Sequence, residues 1–132
     1  MKLVTLSEDF YTAHADCPEI LKKHNRPYVC VLVKTGSRTY GIPLRHHIRH
    51  PYGYHTIGEQ GLDYSKAVVI EEGDTTDVQP WIESKEWNII KANYERISFE
   101  FRKYLKMYDR ALSHPDNPRS KRILEFSTLK YF

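Results

Sequence analysis

From Ser84 onward the apolar residues Trp87, Ile90, Tyr94, Ile97, Phe101, Tyr104, Tyr108 and Ala111 recur at alternating spacings of three and four. That rhythm predicts one long helix burying a single stripe against a sheet. His114-Pro115 ends it, Asp116–Lys121 reads as a linker, and Arg122–Phe132 as a short terminal strand or helix. The N-terminal half has a different period. Lys2–Leu6 predicts a short strand, and Ser7 caps a helix to about Ala15 with Glu8 and Asp9 at its positive end. Pro18 opens a second short helix, Pro18–Lys23, which Asn25-Arg26-Pro27 breaks.

Tyr28–Val33 is too densely β-branched and aromatic for a surface strand and is expected to be central in its sheet. Thr35-Gly36-Ser37 turns the chain into a hairpin partner, Arg38–Ile42, and Pro43 is expected to stop that strand because it has no N–H to donate. Leu44–Gly61 follows no period and carries Pro51 and three glycines, which predicts a long ordered loop. Ala67–Ile70 is a further buried strand, and Glu71–Pro80 an acidic turn region. The order of elements predicts one α+β domain over residues 1–132, an antiparallel sheet with helices packed against it.

Charge changes this picture. The chain is only +3 overall, yet no Asp or Glu occurs between Glu19 and Glu59. That window holds Lys22, Lys23, Arg26, Lys34, Arg38, Arg45 and Arg49, with His24, His46, His47, His50 and His55 among them. Such separation predicts one positive face and a polyanionic partner. Cys17 and Cys30 fit no metal-ligand spacing and read as free thiols. No N-terminal apolar region resembles a signal peptide and no run is long enough to span a membrane, so a cytoplasmic protein is expected.

Arg45-His46-His47-Ile48-Arg49-His50 concentrates two guanidiniums and three imidazoles in six residues. Arginine forks hold phosphate oxygens and stabilise a pentacoordinate phosphorane. Imidazoles titrate near neutrality, so one can take the proton of a 2′-hydroxyl while another protonates the departing 5′-oxygen. The result is RNA cleavage to a 2′,3′-cyclic phosphate and a 5′-hydroxyl. His46 and His50 also have the spacing of two zinc ligands on a helix, but the segment supplies no carboxylate and its arginines repel a cation, so no metal or other cofactor is expected. A third possibility leaves the histidines as phosphate contacts in a noncatalytic RNA-binding module. Tyr40, Tyr52, Tyr54 and Tyr64 surround the basic groups and offer stacking surfaces for unpaired bases.

Asn25-Arg26-Pro27-Tyr28, Gly41-Ile42-Pro43-Leu44-Arg45-His46-His47-Ile48, the run Gly61–Ile70 and the terminal Phe126–Phe132 resemble, in order and spacing over nearly the whole chain, the toxins of type III toxin–antitoxin systems. The resemblance is to the ToxN/AbiQ superfamily, nearest its TenpN-like branch. It implies a compact, twisted antiparallel sheet flanked by helices and a metal-independent endoribonuclease. It further implies inhibition by a small repeat-encoded RNA that the toxin processes, with toxin and RNA closing into a ring. By position Arg26 matches the family's basic residue before the first hairpin strand. The family's Thr and Ser places fall on Arg45 and His46, and its Lys place on Ile48, with Arg49 beside it. The expected catalytic set is Arg26, Arg45, His46 and His47. Lys34, Arg38, Arg49, His50, Tyr54, His55 and Lys66 are the expected RNA contacts, and the long helix is expected to be scaffold.

Overall fold

The computed structural model describes residues 2–20, 29–76, 78 and 80–132. Its described residues form an antiparallel sheet of seven strands, β1 (Leu3–Leu6), β2 (Val29–Thr35), β3 (Arg38–Arg45), β4 (Gly53–Ile57), β5 (Gln60–Asp63), β6 (Val68–Ile70) and β7 (Thr75–Thr76). Four helices accompany it: α1 (Glu8–Ala13), α2 (Ser84–Ala92), α3 (Tyr94–Ser113) and α4 (Pro118–Phe126). The fold is α+β. Strand order is β4-β5-β3-β2-β1-β7, with β6 also paired to β3.

Alternation along β2 explains its central place. Val31 and Val33 face a large core shared with Ile90, Ile97, Phe101 and Tyr104 of α2 and α3. Cys30 belongs to a second core on the other face, with Val4, Leu6, Phe10 and Val68, and Leu32 packs against it. A strand covered on both faces needs apolar side chains at consecutive positions, and that is the run the sequence displays. Ser7 caps α1 by accepting from the Phe10 N–H at 3.1 Å.

Four expectations are corrected. Pro43 does not stop its strand: β3 continues to Arg45. Pro43 sits where that strand changes neighbours, opposite Cys30 of β2 on one side and between the β6 pairing, which ends at Gly41, and the β5 pairing, which begins at Leu44. A residue without an N–H is tolerated at such an interruption. The expected loop 44–61 is half hairpin, because β4 and β5 pair from Gly53↔Asp63 to Ile57↔Gln60.

The long helix is two helices. Asn93 leaves helical geometry (φ −118°, ψ 17°), and its side-chain Nδ2 donates to the Ile89 carbonyl at 2.8 Å. The apolar stripe keeps its phase across this break, so all eight residues still meet the core. Pro118 then starts α4 inside the expected linker, with Asn117 accepting from the N–H groups of Arg119 and Ser120. The remainder of the expected helix Pro18–Lys23 beyond Ile20 lies outside the described residues.

Candidate functional site

The site grows from the C-terminal end of β3. Arg45 stands opposite Gly61 of β5, and two residues further along β5 is Asp63, whose side chain is fully buried. Gly61 permits this close strand pairing, since a Cβ there would collide with the Tyr54 carbonyl of β4. After Arg45 the chain crosses to β4 through residues 46–52, and Ile48 pins that crossing. Its side chain is buried, its N–H donates to the Glu59 carbonyl at 2.9 Å, and its carbonyl lies 3.0 Å from His55 Nε2. Ile48 is therefore an inward anchor. Its neighbours His46, His47 and Arg49 are exposed around it.

Four donors converge on the Asp63 carboxylate. Arg45 Nη1 lies at 2.9 Å and His50 Nε2 at 3.2 Å from Oδ2, while the Ser65 N–H at 3.0 Å and Ser65 Oγ at 2.6 Å reach Oδ1. His50 Nδ1 accepts from the Tyr52 N–H at 3.0 Å, which in the neutral ring leaves the proton on Nε2, facing Asp63. Ser65 Oγ stands 3.5 Å from the same His50 nitrogen. Burial by itself would raise the Asp63 pKa. The hydrogen bonds from His50, Ser65 and Arg45 and the His50 charge outweigh it and hold the carboxyl below its ordinary range. Asp63 is thus an ionised buried post from which Arg45 and His50 are aimed, each about a third exposed (31% and 32%).

Beside this cluster, Glu59 in the β4–β5 turn accepts from Arg49 Nε at 2.9 Å and lies 3.7 Å from His47 Nδ1. The Arg49 hydrogen bond and charge lower the Glu59 pKa, and Glu59 raises that of Arg49 in turn. Tyr64 and Tyr104 lie behind the site with their hydroxyls on Glu100 and Ser127. Burial pushes both phenols upward, which keeps them protonated and unsuited to act as bases.

The structure brings together Arg45, His46, His47, Arg49, His50, Tyr54 and His55 around one crossing loop and the hairpin it enters. It separates others. Lys34 and Arg38 lie at the tip of the β2–β3 hairpin, the opposite end of β3 from Arg45, roughly 23 Å away at the usual rise per residue. Lys66, expected as an RNA-facing cation, is only 8% exposed; its ammonium donates to Glu19 at 2.6 Å and to the Phe126 carbonyl at 2.8 Å. That placement makes it a tether between elements. Of the four tyrosines expected as stacking surfaces, Tyr40 and Tyr64 are buried in the core, and Tyr52 and Tyr54 are half-buried. Arg26 lies outside the described residues.

Sequence reasoning missed Asp63 and Ser65 as the centre of the cluster. The available signal was a single carboxylate within the apolar neighbourhood Leu62, Tyr64 and Ala67–Ile70. Buried carboxylates require donors, and the nearby basic run is where donors were in supply. Among the described residues no three His, Cys, Asp or Glu side chains are grouped to hold a metal ion, and no helix is long and apolar enough to cross a membrane. No protein-family model, curated protein or solved structure matches this chain.

Proposed function

We propose that this chain is a metal-independent endoribonuclease, the toxin of a type III toxin–antitoxin system, held in check by a repeat-encoded RNA that it also processes. The observation that carries the reading is Arg45, oriented through one nitrogen by buried Asp63, with the exposed imidazole of His46 next to it in the chain. The remaining guanidinium N–H groups of Arg45 are suited to the nonbridging oxygens of a phosphodiester and to the extra negative charge of its phosphorane. His46 and His47 are the proton carriers: one accepts from the 2′-hydroxyl as it attacks, the other donates to the departing 5′-oxygen. Arg49, His50, Tyr54 and His55 extend the contact along the strand.

In this reading purified protein cuts single-stranded RNA in excess EDTA, leaving 2′,3′-cyclic phosphate and 5′-hydroxyl ends. His46→Ala abolishes cutting while retaining RNA affinity. RNA that stays whole in EDTA rules the reading out. Short tandem repeats in the DNA just upstream of the gene are expected for the antitoxin.

A second reading, a noncatalytic RNA-binding module on the same surface, draws on one feature. Both ring nitrogens of His50 are engaged, by Asp63 and by the Tyr52 N–H, and no partner in hydrogen-bond contact orients His46 among the described residues. Tight binding without cleavage decides for it.

A further inference from the structure

A second basic surface lies on the helical side and shares no residue with the Asp63 cluster. A groove of about 540 Å³ runs between the C-terminal half of α3 and the start of α4. Lys103, Lys106 and Arg110 of α3 and Arg119 of α4 line it, and Met107 and Ile123 contribute apolar surface. All four cations are exposed, and among the described residues none has a carboxylate within ion-pair distance, Asp109 and Asp116 included.

Helix electrostatics accounts for only part of this arrangement. A cation in the last turn of α3 complements the negative end of the helix, which explains Arg110. Lys103 lies too far from that end to gain anything. Arg119 stands in the first turn of α4, the positive end, where a cation is disfavoured and where no acid offsets it. Lys103, Lys106 and Arg110 follow one another at helical spacings of three and four, where like charges repel. Lys103 lies over the Phe99 ring at 5.1 Å, whereas Lys106, Arg110 and Arg119 face one groove with no carboxylate to offset them, and an anion between the walls would meet all three.

The groove volume exceeds what a single inorganic anion fills and falls in the range of small-molecule sites. Cations at the rim and a thioether and an isoleucine within match a phosphate joined to a flat apolar ring. We infer that the α3–α4 groove is a nucleotide-binding site, taking phosphate on Lys106, Arg110 and Arg119 and a base against Met107 and Ile123. A free nucleotide and a nucleotide unit of a single strand present the same chemistry. The site is independent of the nuclease reading, since it uses none of the residues assigned to cleavage.

The test is anisotropy of a labelled 2′-deoxy hexanucleotide, which lacks the 2′-nucleophile, titrated with the full chain carrying His46→Glu and Arg49→Glu, which repel a strand from the Arg45–His55 surface and leave the groove as it is. In K106E/R110E the affinity is expected to fall at least tenfold, and the slope of log K against log salt to shrink by about 1.4, two single-strand phosphate contacts. Met107→Gln is expected to weaken binding about threefold while leaving pyrophosphate affinity unchanged. Displacement by ATP identifies a free nucleotide as an occupant, and a hexanucleotide that ATP does not displace identifies a strand; both uphold the site. Unchanged affinity in a K106E/R110E protein with a wild-type circular dichroism spectrum overturns it. Pyrophosphate competing at the same concentration as ATP also overturns it, because the groove is then a general anion sink. Loss of hexanucleotide binding in K106E/R110E, where the wild-type chain cuts no RNA, retains this site and ends only the nuclease reading.

Discussion

Asp63→Asn isolates the charge of the buried post with little change of shape. The amide oxygen can keep both Ser65 donors, which places the amide nitrogen against Arg45 Nη1 and His50 Nε2, donor facing donor. Breaking a fully buried ion pair costs about 3–5 kcal/mol; with Arg45 and His50 a third exposed, solvent recovers part of that, and about 2–3 kcal/mol is expected. For a domain of this length that corresponds to a melting temperature lower by about 6–12 °C at pH 6. The pH dependence supplies a second constraint. Asp63 has a folded-state pKa below its unfolded one, so its stabilisation is complete above the unfolded value of about 4 and is lost as pH falls through the depressed folded value. The gap between wild type and Asp63→Asn should therefore be widest at pH 6 and narrower at pH 3, measured by thermal melts followed by circular dichroism. A gap of less than about 2 °C at pH 6 corresponds to well under 1 kcal/mol and refutes the buried-post account. So does a gap that is the same at both pH values.

Two other substitutions separate a structural cation from one proposed to contact RNA. Lys66→Met keeps the aliphatic stem but strands Glu19 and the Phe126 carbonyl; it should destabilise by about 1–3 kcal/mol in urea titration and leave RNA affinity within about twofold. A large loss of affinity in a stable Lys66→Met protein would contradict the tether role. Glu59→Gln releases Arg49 and His47 from their carboxylate, so RNA affinity should rise about two- to threefold and the salt slope steepen by about 0.7. An unchanged slope removes Arg49 from the RNA surface.

The sheet's centre and the helix stripe were readable from the chain because each is governed by burial on a local period. Consecutive apolar residues in Val29–Val33 require two covered faces, and the 3,4 rhythm of Trp87–Ala111 requires one. The features that escaped depend on pairing at a distance. Asn93 interrupts the helix through hydrogen bonds to Ile89 and Ile90 without disturbing the rhythm, so periodicity alone had no means of seeing it. The β4–β5 hairpin was hidden because its glycines read as loop. In the fold Gly58 supplies the turn at φ +58°, and Gly61 admits a backbone approach that a side chain would block.

The charge pattern shows why the sequence singled out the segment 45–55 but not the buried carboxylate on which Arg45 and His50 converge. An acid-free window of 39 residues is a statement about sequence, whereas the field a substrate meets is set in space. The carboxylates just outside the window are the ones the hairpin returns to it. Glu59 folds back on Arg49 and His47, and Asp63 on Arg45 and His50. The Arg45–His50 part of the expected positive face is therefore internally compensated. That compensation does not weaken the case for Arg45–His50 as a working surface. A cluster of cations without counterions would hold phosphate loosely and in many orientations, while one anchored on an ionised buried carboxylate presents its remaining donors in a single geometry. The α3–α4 groove differs in this respect: no carboxylate returns to its cations, so charge alone holds a phosphate there and its orientation is left to the base against Met107 and Ile123.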